Sequence, residues 1–468
     1  MIKSLNKLTV VFIVNIIILL LFFLNHFILS NALSVIGLII YLVIIFYIIK
    51  YFTINILFFS FIIYAYIFQI FSLLFLEMGA FSTELNKYGY CNNSTLFLMS
   101  VSFFILYPII LIKTKINKVN IKSNRLSILL SIIIYSYIFL MIVNIYFNGA
   151  PIFLGINRQS YWVDYTGNRI VYIIYGRSSI FGFLLGIRYW LGTKKKDQID
   201  VIFQFLLCVI VYILYGTKFS GIIIFIYLFM LPIILRFNND AEVYIYLKYL
   251  LKKYIFPVSL FFFILISFSY SLMLQSQKKN IEMKVVIEMI TNRIAQQGQL
   301  FWEANNFLKN KKILRTSINI TNEIVDGISR IDYPNIKSKS GMIILIKNLA
   351  SKNVAYYYPK DGITLTAGSD ALALIQYGYY GLIVYRMVSA FIIFVFFRIF
   401  LNYTKKAKIL VFLLLNEIYW YVIIGAFFDG RFQRVYDIKN IVILFILVIY
   451  MLYEYSLKLN THERIIYE

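Results

Sequence analysis

Apolar residues gather into runs along this chain, at about 8–30, 33–49, 54–76, 96–112, 127–147, 170–190, 199–215, 219–235, 254–273, 378–397, 409–428 and 439–456. Each run is close to the ~20 residues that an α-helix needs to cross a hydrocarbon core. The pattern predicts an all-α polytopic membrane protein with about twelve transmembrane helices. Only one polar stretch is long, so a single large loop is expected between helices nine and ten. The chain then divides into 1–274 (helices one to nine), 275–377 (the large loop, with amphipathic helices) and 378–468 (helices ten to twelve and a tail). The first run has a basic flank and no small-residue cleavage site, so it reads as a retained helix rather than a signal peptide.

Composition agrees. Of 468 residues, 61% are hydrophobic and 14% charged, where an ordinary globular chain is about half apolar and a quarter charged. A cytosolic enzyme, a disordered chain and a single-anchor receptor are excluded. The formal charge of +24 gains meaning once it is sorted by side. With the N-terminus inside, Lys/Arg clusters at 113–125, 193–197, 236–253 and 404–408 all fall on the cytoplasmic face, as the positive-inside bias requires. Both termini are then cytoplasmic. These short, dispersed clusters suit anionic membrane lipids as partners and leave no continuous nucleic-acid surface.

A second set of cations belongs to the opposite, outer face. Segment 147–179 carries Arg158, Arg169 and Arg177; the 275–367 stretch holds fourteen Lys/Arg against seven Asp/Glu; segment 427–437 carries Arg431 and Arg434. Lys218 sits in a very short GTK connection. An amphipathic stretch at 280–308 reads as a helix at or near the membrane surface, with Arg293, Gln296 and Gln297 on one face and Trp302 close by. Convergent arginines fit an anionic ligand such as a diphosphate, whose oxygens accept two parallel bonds from one guanidinium. The competing structural reading is that arginines at span ends reach out to lipid phosphates.

Carboxylates that could act on a hydroxyl are Glu303, Asp164, Glu323, Asp326, Asp370 and Asp429, with Glu303 set beside Trp302 on the helix that carries Arg293. Aromatic residues at 161, 162, 165 and 302, and the tyrosines within 377–380, could stack on sugars, although an interfacial belt explains most of the forty tyrosines. The two histidines, His26 and His462, leave a His-based zinc site or a Ser-His-Asp triad without residues on the outer face. No metal site and no cofactor is expected.

Three segments carry a family resemblance: RIAQQGQLFW (293–302), TAGSDALALIQYGYYG (366–381) and GTKFSG (216–221). With the span pattern and the late large loop, they resemble the Wzy-type polymerases of O-antigen and related polysaccharides, over nearly the whole chain. Lys218 departs from the glycine–arginine turn of many members. The resemblance implies metal-independent glycosyl transfer on the outer side of a bacterial cytoplasmic (inner) membrane, joining undecaprenyl-diphosphate-linked oligosaccharide repeat units into O-antigen or capsular polysaccharide. Arg177 and Arg293, helped by Arg158, Arg169 or Lys218, would hold the diphosphate. Glu303 would orient or deprotonate the acceptor hydroxyl, and Gln296, Gln297, Trp302, Arg431 and Arg434 would line the substrate. A polysaccharide chain-length regulator is a further candidate partner. The alternatives are a lipid-linked oligosaccharide flippase, disfavoured by the long loop and missing internal repeat, and an O-antigen ligase, disfavoured by the absence of histidine from 275–377.

Overall fold

The computed structural model describes residues 2–112, 124–154, 156, 161–162, 169–176, 178–191, 195–216, 219–250, 252, 292, 294–310, 319–328, 340–360, 368–405 and 409–467. Its helices are α1 (Ile2–Ile28), α2 (Asn31–Tyr51), α3 (Thr53–Glu77), α4 (Ser94–Leu111), α5 (Asn124–Asn148), α6 (Pro151–Leu154), α7 (Arg169–Gly176), α8 (Ser178–Leu191), α9 (Lys195–Leu214) and α10 (Phe219–Met230). They continue with α11 (Gln299–Lys309), α12 (Ile320–Ile328), α13 (Gly341–Leu349), α14 (Lys352–Lys360), α15 (Ser369–Lys405), α16 (Ile409–Ile418) and α17 (Ile438–Tyr467). A two-residue antiparallel ladder, β1 (Phe81–Ser82) with β2 (Lys87–Tyr88), joins α3 to α4.

Helix is the only local solution for such runs away from water, because each backbone donor must find its acceptor within the segment. Seven helices among the described residues are long and apolar enough to cross a membrane: Leu8–Ile28, Asn31–Tyr51, Thr53–Glu77, Ser94–Leu111, Leu126–Leu154, Lys195–Leu214 and Ser369–Tyr403. The pair Ile170–Gly176 and Ile180–Trp190, bent by 56°, makes eight if taken as one crossing. The fold is therefore an all-α polytopic membrane-protein fold, with fewer full-length spans in view than the twelve apolar runs. The runs at 219–235 and 409–428 form shorter apolar helices, Gly221–Leu235 and Val411–Phe427. The first tightens into a 3-10 turn at Leu231–Leu235, where Pro232 lacks the donor an α-helix requires. The second passes through a π-helical stretch, Tyr419–Ile424. The run at 254–273 lies outside the described residues, and 439–456 falls within α17.

α4 is the buried axis, with 83% of its apolar window inside the protein against 22% for α1. Apolar residues of α1 such as Phe12, Leu20 and Phe27 consequently face outward, as lipid-facing positions do. The buried residues form two apolar cores. One joins α1–α4 with α11, α13 and α15–α17 and takes in Phe183, Ile187 and Trp190 of α8 and Tyr227 and Leu228 of α10; the other joins α5, α7 and α9 with the remaining buried apolar residues of α8 and α10. Side-chain bonds lock one end of the bundle: Asn55 Nδ2 donates to the carbonyls of Ile109 (2.6 Å) and Ile112 (3.0 Å), and Asp240 Oδ1 accepts the Ile54 amide (2.7 Å). Those contacts serve terminal groups of α3 and α4 that no helix can satisfy by itself.

α15 is the unusual element. Gly378 has φ +70°, ψ −168° inside it, and Asp370 contacts Arg386, sixteen residues away. On a straight helix those two residues would stand about 24 Å apart. The segment is therefore a helical hairpin: Ser369–Tyr377 runs back along the start of the following arm, with Gly378 at the turn. Each leg from turn to ion pair is roughly 12 Å long, so the short arm tucks into the bundle. Residues 369–377, expected as the end of a loop, are buried helix over most of their length.

Gly378 has open space around the position of a Cβ, so only backbone conformation opposes a side chain there. Gly378→Ala should lower stability by about 1–3 kcal/mol, read as a reduced Tm of the purified protein in detergent. An unchanged Tm would mean that the hairpin turn tolerates an L-residue.

Candidate functional site

The hairpin carries a fully buried ion pair. Arg386 Nε donates to Asp370 Oδ1, Nη1 to the Phe427 carbonyl (2.8 Å) and Nη2 to Ser369 Oγ (3.0 Å). Asp370 Oδ2 accepts from the Tyr66 hydroxyl (3.3 Å), and the Ser369 amide donates to the Phe428 carbonyl (2.8 Å). The guanidinium is also ringed by Phe428 at 5.1 Å, Tyr385 at 5.3 Å and Tyr66 at 5.7 Å from the ring centroids. Every nitrogen of Arg386 has an acceptor, as a charge removed from water requires. Three separated pieces of chain meet here: α3, the hairpin, and the end of the helical stretch that starts with α16. Tyr66 lies thirteen residues beyond Thr53, so the pair sits about 20 Å along α3.

A second polar centre surrounds Glu303. α11 is buried along nearly its whole length, so both of its faces meet other parts of the chain; residues 280–291 and 293 of the amphipathic stretch lie outside the described residues. The helix also does not run unbroken from 293 to 302, since Gln296–Gly298 form a turn. α11 instead packs against α3, α4, α15 and the strand ladder. Glu303 is ion-paired with Lys87, and Gln299 bonds to Ser82 and Glu84. Asn305 Nδ2 donates to Ser94 Oγ (2.8 Å) and to the Asn92 carbonyl (3.0 Å), while Tyr379 donates to Asn305 Oδ1 (2.6 Å). Asn306 accepts from Tyr90. Trp302 is fully buried, its indole donating to the Tyr90 carbonyl (3.0 Å) and its ring facing the Lys87 ammonium at 5.1 Å. Burial pushes the Lys309 ammonium below its ordinary range, against the pull of the nearby Glu77 charge. The Tyr90 phenol is pushed up by burial and by the Glu303 charge.

A third group lies where the two apolar cores meet. The Tyr421 hydroxyl donates to the Gly176 carbonyl (3.0 Å), at the break of the bent α7–α8 pair. Arg434 and Lys439 both approach the Tyr421 ring, at 5.8 and 4.5 Å from its centroid. The segment bearing Arg434 is held by backbone bonds from Arg431 to Gly425 (2.9 Å) and from Arg434 to Arg431 (3.1 Å). Its neighbour Gln433 donates its amide to Glu323 Oε2 (3.1 Å), and Glu323 also accepts from the Gly341 amide. Burial raises the Glu323 carboxyl above its usual range, opposed by those two amide bonds.

Of the predicted site residues, Glu303, Trp302, Gln296, Gln297, Arg431 and Arg434 have described surroundings. Gln296 Nε2 donates to Thr83 (2.9 Å) on the strand-ladder loop, and the Gln297 amide closes the turn onto Ile294 (3.2 Å). The structure brings Gln296, Trp302 and Glu303 onto one loop region and Arg431 with Arg434 onto another. Arg169 begins α7. Arg158, Arg177, Lys218 and Arg293 lie outside the described residues, although Gly176 places the chain just before Arg177 beside Tyr421. The sequence reading passed over Arg386, Lys87, Tyr421 and Lys439. Arg386 had a signal, as the lone charge in the 378–397 run. Lys87 had none, because its partner is 216 residues away.

Asp370→Ala leaves the Arg386 charge buried without its counter-ion and should cost about 3–5 kcal/mol, seen as a large fall in Tm or loss of folded protein. The double variant Asp370→Leu/Arg386→Met should recover most of that loss; failure to recover would show the pair doing more than holding the hairpin. No protein-family description, curated protein or solved structure matches this chain.

Proposed function

We propose that this protein is a membrane glycosyltransferase that joins undecaprenyl-diphosphate-linked repeat units into O-antigen or capsular polysaccharide. The observation that carries this reading is the polar centre around Glu303, built where a helix from the long polar stretch folds back onto a membrane bundle. Sugars present many hydroxyls and need closely spaced donors and acceptors; the partly exposed Lys87 and the exposed Tyr90 stand at the edge of this centre, bonded to Glu303 and Asn306. Enclosure of such a lining also keeps water from the donor.

In this reading Glu303 orients the acceptor hydroxyl by accepting its hydrogen bond, and Lys87 fixes the carboxylate and offers its own donors. Arg177, Arg293 and Arg434 hold the diphosphate, whose negative charge grows as the glycosyl bond breaks. Arg158, Arg169 and Lys218 are secondary contacts to it. Trp302 acts as a support, because its ring is covered by Lys87 and Tyr90. The finer topology belongs to the same proposal: twelve spans in a bacterial cytoplasmic membrane, both termini inside, 275–377 outside. Support comes from the basic clusters at 113–125, 193–197, 236–253 and 404–408, and from contacts linking the 78–94 connection, α11, α13 and α15.

The test is a gene deletion complemented with variants, with surface polysaccharide resolved on gels. Deletion should leave a single repeat unit on the acceptor; complete loss of glycan would indicate a flippase or ligase instead. Glu303→Gln should cut long-chain product by about 10²-fold, and Arg177→Ala and Arg293→Ala should each abolish it at normal protein level. A full chain-length distribution in all three variants would overturn the proposed roles.

A further inference from the structure

The boundary between the two apolar cores holds two half-buried cations, Arg434 and Lys439. Tyr421 follows Ile409 by twelve residues, roughly 18 Å of helix, and Lys439 is the second residue of α17, whose Tyr450 meets Tyr403 (6.2 Å between rings) near the far end of α15. Arg434 and Lys439 therefore lie within the depth of the helices and not beyond them. Among the described residues no carboxylate stands within ion-pair distance of either cation. The nearest acid in sequence, Asp437, spends Oδ1 on the Lys439 amide (3.0 Å).

Two like charges facing one ring repel each other, and the ring quadrupole offsets only part of that cost. Charges at such depth are expensive unless something pairs with them. Arg434 lies against Gly425, where a Cβ would stand 2.7 Å from Arg434 Cδ and 3.0 Å from its Nη1. Tyr421 is anchored through its hydroxyl to Gly176 at the helix break. The result is a planar fork and a point charge against one ring, with no carboxylate partner among the described residues.

We propose that Tyr421, Arg434 and Lys439 form a binding site for a phosphate-bearing group that reaches the boundary between the cores from within the membrane's depth. The guanidinium would take two phosphate oxygens and the ammonium a third. Lys439 and Tyr421 thereby become binding residues in their own right. The inference rests on the reading of the substrate as a lipid diphosphate, and it assigns that group a place.

The full-length protein, purified in a phosphate-free maltoside detergent, can be titrated with farnesyl diphosphate and with inorganic diphosphate. Arg434→Gln and Lys439→Gln should each raise Kd about ten- to a hundred-fold. Lys439→Arg should keep binding near the original value, as should Lys195→Gln, an exposed lysine at the start of α9. Affinity for farnesyl diphosphate alone identifies a lipid-held headgroup, and equal affinity for both probes identifies phosphate itself as the recognised unit. Unchanged Kd in both Gln variants, or no binding of either probe by the unmodified protein, overturns the site. The polymerase reading fails separately: a normal glycan ladder in cells deleted for the gene, with binding lost in the Gln variants of the purified protein, removes the polymerase role and leaves the site, whereas a ladder abolished by Glu303→Gln with unchanged binding in both Gln variants does the reverse.

Discussion

A guanidinium enclosed by a helical bundle has no water to solvate it, so its surroundings must be built around its five donors. Arg386 imposes that condition on this chain. Its nitrogens reach Asp370, Ser369 and the Phe427 carbonyl, and these groups belong to segments that would otherwise have no reason to meet inside apolar helices. The short arm Ser369–Tyr377 must dip into the bundle to deliver Asp370. The stretch that starts with α16 must stop at Phe428 to expose a helix-end carbonyl, since an interior carbonyl is already used by its own helix. Tyr66 completes Asp370 from α3. One desolvated charge thus fixes the hairpin, the end of a neighbouring helix and the depth at which the connecting residues 428–437 lie.

From that anchor the two other polar centres follow. The arm that carries Asp370 rises to Gly378, and the next residue, Tyr379, bonds to Asn305 on α11. The Glu303 centre is therefore tied to the buried pair through a single turn of chain. On the other side, residues 429–437 leave Phe428 and bring Arg434 onto Tyr421, while Gln433 is held by Glu323. Loosening the Asp370–Arg386 pair would release both connections together, and this is the physical sense in which the hairpin organises the polar end of the bundle.

Apolar periodicity made the membrane class and most helix positions legible: the runs at 33–49, 54–76 and 96–112 match α2, α3 and α4 to within a few residues. What hydropathy could not reveal is direction. Residues 369–403 are helical and apolar throughout, and only a positive φ at Gly378 turns one long helix into two antiparallel arms; a glycine there looks like many others. Arg386 was readable as a lone charge in an apolar run, yet its partner could not be chosen among the carboxylates without the fold. The Glu303 helix shows a second limit. Its amphipathic pattern is real, but the polar face meets the strand ladder and α4 rather than solvent, because Lys87, Asn92 and Ser94 offer it partners. Amphipathicity says that two faces differ and leaves open what each face touches.

The charged groups of the bundle differ in how far the protein itself satisfies them. Arg386 and Asp370 are buried and held by each other together with Ser369, Phe427 and Tyr66; a group engaged in this way inside the protein has little left to offer a substrate. Lys87 and Glu303 are paired, but Lys87 keeps a third of its side chain exposed, so a hydroxyl can compete for that pair at its open edge. Arg434 and Lys439 share a ring and lack a counter-ion among the described residues, which makes them the most demanding charges in the bundle. Ordered in this way, the degree to which each ionic group is already satisfied separates scaffold from site more sharply than its burial does, since Arg386 is the most deeply buried of all and the least available.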